Sequence, residues 1–372
     1  MIIVKATLYR YSLPLRRPLT LAGRECNRRD GLIVRLESEK GNVAYGEASP
    51  LDGFCSESLK DAERQLKSVV HRFDGLSIAQ DEAKLDGSLG DWIDKHTVLL
   101  DGSLCASARY ALETAILQLL SADRSVALGQ LIDPACHATV DLNCLLVGDE
   151  EALLTRAARL VRAGFRTFKL KVGRRTPKDD ADLIVQLREV VGNDATIRLD
   201  ANRSYSVADA IGLSHMVIGA GIAYIEEPVA SYAELSDLAI DKQFLLPLAL
   251  DESLMDMSPE ELTVLPKVTT IVLKPSLIGL EKSVAFIRRA RELRMTPVIS
   301  SAFSSSIGLI PQIHLAAALA DIRVAAGFDT LNWFDDDLLC PPVNTVKPAL
   351  CLADLPDTGS CIRMEMLHEV VE

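Results

Sequence analysis

Several features on which secreted, membrane-bound and zinc-binding proteins depend are absent from this sequence. Its 8 cysteines are scattered, with no Cys-x-x-Cys pair and no clustered histidines, which argues against a disulfide framework or a zinc site. No apolar run approaches the ~20 residues needed to span a bilayer. The first residues lack the basic segment and apolar core of a signal peptide. We therefore expect a cytoplasmic protein with reduced cysteines.

Positive charge is in deficit, since 40 lysines and arginines face 52 aspartates and glutamates, giving a net charge of −12. This balance offers no broad attraction to phosphate backbones or anionic lipid, so neither nucleic acid nor a membrane is an expected partner. A local basic pocket for a small anion is still compatible with it. Composition is otherwise that of a globular protein, with 48% hydrophobic and 25% charged residues, and 372 residues suit two unequal domains.

The first part of the chain predicts an α+β unit. Periodicity is strand-like over 2–15 and 31–48 and helical over 57–73 and 103–121. A hairpin turn is predicted at 39–42. The polar, glycine-interrupted stretch 75–100 is predicted to be an irregular connection.

From about residue 138, short apolar runs alternate with helical patterns at the spacing of βα units. The runs are 141–147, 167–172, 196–200, 223–226, 246–251, 270–274, 297–300 and a weak one at 327–331. The helical patterns include 150–163, 180–191, 206–219, 280–294 and 307–320. Eight successive units predict a TIM-like (β/α) barrel, and the absence of G-x-G-x-x-G disfavours a dinucleotide-binding sheet.

These patterns divide the chain into three parts. We predict an α+β capping domain over 1–137 and a (β/α) barrel over 138–338. The segment 339–372, which contains Pro341-Pro342, is predicted to return to the capping domain. The predicted fold class is therefore α/β, a TIM-like barrel with an N-terminal cap.

Three predicted barrel strands end in a carboxylate, at Asp200, Glu226 and Asp251. The carboxyl ends of barrel strands share one rim, so these side chains are expected to converge there. Three carboxylates in one place repel unless a cation neutralises them, and an oxygen-only ligand set favours Mg²⁺. The alternative is that each acid caps the following helix or pairs with an arginine. That alternative explains a single acid better than it explains three at matching positions.

Lysines flank these acids on two other strands. Lys169 and Lys171 project to one face of their strand because side chains alternate with a period of two, and Lys274 ends the sixth predicted strand. Strands two and six lie on opposite sides of an eight-stranded ring. A solvated pair at the strand edge is the alternative for Lys169 and Lys171. Together, a metal site and two lysines suit removal of a proton beside a carboxylate, through an enediolate.

The ordered set of these motifs resembles the muconate-lactonizing subgroup of the enolase superfamily. The segments that carry the resemblance are Lys169-Leu170-Lys171, Asp200-Ala201-Asn202, Glu226-Glu227-Pro228, Asp251-Glu252-Ser253 and Lys274-Pro275. Within the subgroup, the sequence is most similar to the o-succinylbenzoate synthases, which are dehydratases of menaquinone biosynthesis. The local matches to that family lie at 198–203, 299–301, 305–309 and 327–331.

The resemblance implies a reaction, the dehydration of 2-succinyl-6-hydroxy-2,4-cyclohexadiene-1-carboxylate to 2-succinylbenzoate. It implies that Asp200, Glu226 and Asp251 hold Mg²⁺, with Mn²⁺ as a substitute. Lys171 would remove the proton alpha to the ring carboxylate and return it to the departing hydroxyl. Lys274 would stay protonated on the opposite face. The implied partner is thus a small-molecule carboxylate, and the sequence leaves the oligomeric state open.

The resemblance also implies residues that bind or support the substrate. They are Lys169, Arg198, Asn202, Ser300, Ser301 and Gly327. The succinyl tail would lie near Ser300 and Gly327, where backbone N–H groups can bind a carboxylate.

A lid from the N-terminal domain is a further implication. Its candidates are the predicted loop Leu15–Arg29 and the segment Glu47–Phe54. The loop holds five arginines, at positions 16, 17, 24, 28 and 29, which would supply positive charge to an anionic substrate. A solvated loop is the alternative.

Other reactions share this catalytic core. An N-acylamino-acid racemase or dipeptide epimerase would use Lys171 and Lys274 as two bases, and a muconate-type cycloisomerase would use the same enolate chemistry. An epimerase that binds a free amino terminus is expected to carry an Asp-x-Asp pattern after strand eight, where this sequence has Asp329 but Leu331. A catalytically inactive binding barrel would lack a ligand or a lysine, and all of them are present.

Overall fold

A computed structural model describes residues 1–21, 24–97, 103–319 and 324–371. The molecule is an α/β protein in which a TIM-like barrel carries a separate antiparallel sheet from the N-terminal region. The N-terminal elements are β1 (Ile3–Leu21), β2 (Arg24–Ser38), β3 (Val43–Ala48), α1 (Leu59–Val69), α2 (Ser88–His96), α3 (Ala106–Arg124) and α4 (Leu128–Ile132).

The remaining elements alternate between strand and helix over most of their length. They are β4 (Thr139–Asp141), β5 (Asn143–Leu146), α5 (Glu150–Arg162), β6 (Thr167–Lys171), α6 (Pro177–Val191), β7 (Thr196–Asp200), α7 (Val207–Val217), β8 (Ile222–Glu226), α8 (Tyr232–Ile240), β9 (Leu248–Leu250), β10 (Val268–Leu273), α9 (Pro275–Ile278), α10 (Leu280–Glu292), β11 (Thr296–Ile299), α11 (Ser306–Leu319), β12 (Ala349–Cys351), α12 (Thr358–Cys361) and β13 (His368–Glu369).

The capping sheet has the strand order β13-β1-β2-β3 and is antiparallel. The predicted hairpin between β2 and β3 is confirmed, since the Ser38 N–H donates to the carbonyl of Asn42 at 2.9 Å. β1 and β2 pair as far as Leu21 and Arg24, so the expected loop conformation over 15–29 is wrong for its described residues, which form a long two-stranded arm. The expected lid role of this segment stays a prediction.

The predicted irregular connection at 75–100 is wrong in one stretch, where α2 forms. Leu89, Trp92 and Ile93 give this helix a buried face with helical spacing. Glycine inside a helix costs about 1 kcal/mol of helix stability relative to alanine, so Gly90 weakens the prediction of a helix from the sequence. The glycine is required by a tertiary contact, because its N–H donates to Oε2 of Glu281 at 2.8 Å and a Cβ there would collide with that carboxylate.

The barrel sheet runs in the order β11-β10-β9-β8-β7-β6-β5, and all its strands are parallel. The sequence predicts the eighth strand of the barrel over 327–331, and this prediction is wrong. Within the described chain, Ala326 bridges to Leu142 and Gly327 to Ser300, and the backbone then enters a 3₁₀-helix at Asp329–Trp333. Two residues suffice to close the ring, so no longer strand is needed.

The inside of the barrel is built in layers. Tyr224, Ala249, Val272 and Val298 form a buried apolar cluster. Each lies two residues before a residue at the mouth of the barrel and therefore points to the same face of its strand, one layer deeper. These side chains make a closed floor beneath the mouth.

The C-terminal residues connect the two sheets. β12 pairs with β4 at the barrel, and β13 pairs with β1 at the edge of the capping sheet. This course agrees with the predicted return of the chain, while the domain boundaries themselves stay predictions. No helix within the described ranges is both long and apolar enough to cross a bilayer.

A buried carboxylate fastens the cap to the barrel. Glu47 at the end of β3 accepts hydrogen bonds from the hydroxyl of Ser49 at 2.7 Å and from the N–H of Ser305 at 3.1 Å. A Cβ on Gly308 would come within 2.8 Å of the Glu47 carboxylate, so this glycine permits the close approach of α11. Burial raises the pKa of Glu47, and the bonds from Ser305 and Ser49 oppose that rise.

Glu113 of α3 predicts a pH-dependent stability. It is fully buried and accepts the Leu280 N–H at 2.6 Å, and burial raises its pKa from 4.5 to about 7. The unfolded chain therefore loses this proton first as pH rises. We expect the free energy of unfolding to fall between pH 4.5 and 7, by up to about 3 kcal/mol, and not to recover above that range.

The variant Glu113→Gln keeps an acceptor for Leu280 without a charge. We expect it to remove this pH dependence and to be more stable than the native protein near pH 8, as measured by urea unfolding at several pH values. The native protein at about pH 4.5 is the internal control. Parallel stability curves for the two proteins would contradict the assignment.

Candidate active site

The three predicted carboxylates lie together at the carboxyl ends of neighbouring strands. In the strand register Asp200 is the partner of Glu226, and Glu226 is the partner of Ala249, two residues before Asp251. All three are buried, with exposed fractions of 1% for Asp200 and 0% for Glu226 and Asp251. Such a concentration of buried negative charge requires compensation from nearby cations.

Three lysine ammonium groups supply that compensation. Lys169 Nζ lies 2.7 Å from Oδ2 of Asp200 and 2.9 Å from Oε1 of Glu226. Lys171 Nζ donates to Oδ2 of Asp200 at 2.6 Å, and Lys274 Nζ pairs with Oδ2 of Asp251. The alternative of a solvated lysine pair is therefore wrong for Lys169 and Lys171, because both point into the barrel mouth.

The carboxylates keep acceptor capacity that the lysines do not use. Glu226 Oε2 is buried and forms an ion pair with Lys169 Nζ at 2.8 Å, but it accepts no well-aligned hydrogen bond. Oδ1 of Asp251 is likewise buried without one. Buried acceptors of this kind are costly unless a donor or a cation reaches them.

Whether the three carboxylates can hold a divalent cation depends on the positions of the lysine ammonium groups. Among the residues that the structure describes, no three acidic, histidine or cysteine side chains stand together as a ready-made metal site. The lysine ammonium groups contact the same carboxylate oxygens that a cation would contact. The donor set itself consists of three carboxylates, two of which keep an oxygen without a hydrogen-bond partner, and a hard ion such as Mg²⁺ prefers oxygen ligands of this kind. The residues therefore fit Mg²⁺ provided that the lysines move off these oxygens.

Opposing effects set the pKa values in the mouth. Burial alone would raise the pKa of Asp200, but Lys169 and Lys171 outweigh it and hold that pKa well below its ordinary value. Burial and the charge of Asp200 raise the pKa of Glu226. For Lys274 burial would lower the pKa, whereas Asp251 and the neighbouring acids raise it overall. This environment favours an ammonium ion at Lys274.

Both lysines proposed for catalysis line one cavity above the carboxylates. Lys171 belongs to β6 and Lys274 follows β10, and these strands lie four positions apart in the ring. The cap covers part of the cavity with Leu19, Leu51 and Phe54. The Phe54 ring centre lies 5.0 Å from Lys274 Nζ, so an aromatic face meets this cation.

The predicted supporting residues are placed unequally. Those that line the cavity are Lys169, Asn202, Ser300, Ser301 and Gly327. Asn202 accepts a hydrogen bond from Lys171 and donates to Glu252 Oε1 at 2.8 Å. Arg198 lies one layer deeper, where its Nη1 donates to the Ala325 carbonyl at 2.7 Å. It supports the barrel floor and does not line the cavity.

The expected binding of a carboxylate by backbone N–H groups near the seventh and eighth positions is wrong for both named residues. The Ser300 N–H donates to the carbonyl of Leu273 at 2.8 Å, and the Gly327 N–H donates to that of Ile299 at 2.9 Å. These bonds close the barrel, so neither N–H is open to a ligand. The Ser300 hydroxyl remains at the cavity wall.

The expected supply of positive charge to the substrate by the arm arginines stays a prediction. The side chain of Arg24 lies outside the described residues. The other four do not line the catalytic cavity as described. Arg29 is buried and donates to the Pro50 carbonyl at 2.7 Å and to the Phe303 carbonyl, so it fastens the arm to the cap and barrel loops. The arm instead reaches the cavity through the apolar side chain of Leu19.

Two acids at the mouth escape sequence reasoning. Glu227 accepts the N–H groups of Asp251 at 2.9 Å and of Ser253 at 2.8 Å, and so orients the end of β9. Glu252 accepts from Asn202, and burial raises its pKa to about 7. Strand alternation predicts that the second acid of Glu226-Glu227 points away from the first, but Glu227 has φ = +40°, which ends the alternation. Both acids lie within the motif segments that carry the family resemblance, each next to a predicted ligand, and that was the signal that could have identified them.

Arg174 and Trp333 also line the cavity without having been predicted as site residues. Arg174 follows β6 directly and is exposed. Trp333 ends the 3₁₀-helix that replaces the predicted eighth strand. Each belongs to a loop at the carboxyl end of a strand, which is where barrels place substrate contacts.

Family models match most of the chain. The model described as enolase C-terminal domain-like matches residues 152–364, more than half of the sequence. The model described as MenC, N-terminal domain, matches residues 3–100.

Relatives of known name cover nearly the whole chain. The o-succinylbenzoate synthase of Vibrio cholerae is 33% identical over 356 residues, which are 94% of this chain and 96% of that protein. The o-succinylbenzoate synthase of Yersinia pestis is 30% identical over 360 residues, 94% of this chain and 97% of that protein. The chain also matches Protein PHYLLO, chloroplastic, of Arabidopsis thaliana at 30% identity, covering 84% of this chain but only 20% of that longer protein.

Solved structures show the same fold at lower identity. A muconate lactonizing enzyme from Mycobacterium smegmatis superposes with a TM-score of 0.82 at 21% identity, covering 100% of both chains. An N-succinyl Arg/Lys racemase from Bacillus cereus gives 0.81 at 23% identity, covering 98% of this chain and 97% of the other. A dipeptide epimerase from Enterococcus faecalis, complexed with Mg and a dipeptide, gives 0.81 at 22%, covering 96% and 99%.

The contacts of Glu227 predict a loss of stability on substitution. In Glu227→Gln one carboxylate oxygen is replaced by an NH2 group, which cannot accept. If it stands in place of Oε2, the bonds that Ser253 and Arg203 now donate there are lost. We expect the free energy of unfolding to fall by about 2 kcal/mol, measured by urea unfolding. Glu189→Gln, an exposed position on α6, is the matched control and should change stability little. Equal stabilities of the two variants would refute the orienting role.

Proposed function

Because this chain belongs to the enolase superfamily, we propose that it is an o-succinylbenzoate synthase, a carbon–oxygen lyase. The proposed reaction removes water from 2-succinyl-6-hydroxy-2,4-cyclohexadiene-1-carboxylate and yields 2-succinylbenzoate, a step of menaquinone biosynthesis. One observation carries the proposal. Lys171 and Lys274 line the same cavity from strands four positions apart, with three buried carboxylates at its base.

In this proposal Lys171 acts as the base. Its neutral amine takes the proton alpha to the ring carboxylate, and the resulting ammonium returns that proton to the hydroxyl group, which leaves as water. Asn202 already accepts a hydrogen bond from Lys171 and so orients it toward the cavity. Lys274 stays protonated across the cavity and attracts the negative charge that develops on the substrate, as its surrounding acids favour.

Asp200, Glu226 and Asp251 are the proposed ligands of Mg²⁺. When bound, this ion would supply the positive charge that stabilises an enediolate. The cap would exclude water from the cavity with Leu19 and Phe54, which strengthens every electrostatic interaction inside.

The same site is less suited to a substrate with a free amino group. Asp329, the acid expected to bind such a group, already accepts bonds from the Leu145 N–H at 2.8 Å and from Arg156 at 3.0 Å. Leu331 is buried and offers no second carboxylate. These contacts disfavour a dipeptide epimerase.

Racemisation of an N-succinyl amino acid is the second candidate function. The two lysines on opposite sides of one cavity favour it, because a racemase needs a base on each face of the alpha carbon. Such a substrate has no free amino group and does not need Asp329 to bind one. The hydrogen bonds that Asp329 already accepts therefore do not disfavour this reaction.

Turnover with the cyclohexadiene carboxylate and Mg²⁺ tests the first proposal. We expect the aromatic product to form, which ultraviolet absorbance detects. Lys171→Ala should lower kcat by at least about 100- to 10,000-fold, the usual contribution of a general base. Lys178→Ala, an exposed lysine on α6, is the matched control and should retain activity. Unchanged turnover in folded Lys171→Ala would refute the role of the base.

Exchange of the alpha hydrogen separates the two candidate functions. A racemase exchanges this hydrogen of N-succinyl amino acids with deuterium from D₂O, which nuclear magnetic resonance measures. Exchange without any dehydration would replace the first proposal by the second. In that case Lys274→Ala should also abolish racemisation, since each lysine serves one enantiomer.

Magnesium binding can be measured without activity. Loss of an outer-sphere partner alone weakens metal binding about 10- to 100-fold, so we expect Asp251→Asn to weaken Mg²⁺ binding at least as much in calorimetry. Asp237→Asn, an exposed acid on α8, is the control. Equal affinity of native protein and Asp251→Asn would exclude Asp251 as a ligand.

A further inference from the structure

A second cavity, of about 580 Å³, lies beside the catalytic one between β1, α5 and the 3₁₀-helix at Asp329–Trp333. We call it the arginine cavity, since four arginines line it: Arg16 and Arg17 of β1, and Arg156 and Arg159 of α5. A single carboxylate, that of Asp329, faces them. In a protein of net charge −12, this is a strong local reversal of charge.

The one carboxylate is already fully engaged. Asp329 Oδ2 accepts from the Leu145 N–H at 2.8 Å and from Arg156 at 3.0 Å, and its Oδ1 accepts from Asn332 at 2.6 Å. Arg156 also donates to the Leu145 carbonyl at 2.9 Å. Asp329 therefore neutralises Arg156 and holds it in place, leaving three guanidinium groups.

Those three, Arg16, Arg17 and Arg159, form no ion pair within the described part of the chain. Two of them are nevertheless held in place. Arg16 Nε donates to the Phe334 carbonyl at 2.7 Å, and the Arg17 guanidinium lies 3.6 Å from the ring centre of Trp333. Burial and the charge of Arg156 lower the pKa of Arg17. Positive charge is thus concentrated around an open volume, with Arg16 and Arg17 held by their contacts and all three guanidinium-bearing residues exposed to solvent.

We propose that the arginine cavity binds a small molecule with two or more oxyanion groups, either phosphates or carboxylates. Guanidinium groups bind both through paired N–H donors, and several of them converging on one volume select for multiple charges. The apolar wall formed by Leu160, Phe165 and Trp333 would pack against the body of such a ligand.

This site is separate from the catalytic one. Asp329 and Trp333 line both cavities and form the wall between them, while Lys171 and Lys274 line only the catalytic cavity. A ligand in the arginine cavity would bridge β1 to α5. It would therefore hold the arm whose Leu19 covers the catalytic cavity. The inference does not depend on the proposed reaction.

Isothermal titration calorimetry with pyrophosphate and with citrate tests the site and separates the two ligand classes. We expect the native protein to bind at least one of them at a single site. Tighter binding of pyrophosphate would indicate a phosphorylated ligand, and tighter binding of citrate a polycarboxylate. Arg159→Gln and Arg16→Gln, on opposite walls of the cavity, should each weaken binding about tenfold or more.

Two controls locate the bound anion. Arg162→Gln changes an exposed arginine on α5 that does not line the cavity and should bind as the native protein does. Lys171→Ala changes only the catalytic cavity and should also retain binding. The proposal is overturned if neither anion binds, if Arg159→Gln and Arg16→Gln bind as tightly as the native protein, or if Lys171→Ala loses binding.

Discussion

The mutual neutralisation of acids and lysines at the mouth of the barrel is the constraint on which the rest of the structure depends. Asp200, Glu226 and Asp251 are buried within one rim, and three carboxylates cannot be ionised there without cations. Lys169, Lys171 and Lys274 meet this need in the structure. The same groups that neutralise the acids are those placed to move a proton, so electrostatic compensation and the proposed chemistry use one set of residues.

The surrounding fold serves to hold this charged set in place. A layer of apolar side chains closes the floor of the barrel beneath it. Backbone bonds at Ser300 and Gly327 close the ring with two residues at the eighth position. Glu47, buried at the junction, fastens the cap above, and Glu227 orients the end of β9. Both of these supporting acids are satisfied by hydrogen bonds, whereas Glu226 and Asp251 at the mouth each keep one oxygen without a hydrogen-bond partner.

Much of the architecture could be predicted from the sequence because periodicity reports local structure. The strands that carry Asp200 and Glu226 end at the predicted residues, and the strand that carries Lys171 ends one residue earlier than predicted. The errors arise where a distant contact decides. Gly90 weakens the helical pattern of α2 in the sequence. The reason for this glycine is its contact with Glu281, which lies 191 residues away in the chain. The eighth strand was predicted too long because two residues already complete the ladder.

The sequence by itself determined the barrel, the order of charged strand ends and the family, since alternation and motif order are properties of neighbouring residues. Only the tertiary structure decided which hydrogen-bonding groups already have a partner within the protein. The Ser300 and Gly327 N–H groups donate to the backbone carbonyls that close the barrel, and the arm arginines whose side chains are described do not line the catalytic cavity. The acceptors of these two N–H groups lie on neighbouring strands, at Leu273 and Ile299, and the arm contacts barrel residues such as Phe334, 318 residues away from Arg16. Such partners lie outside the window that a local sequence pattern covers.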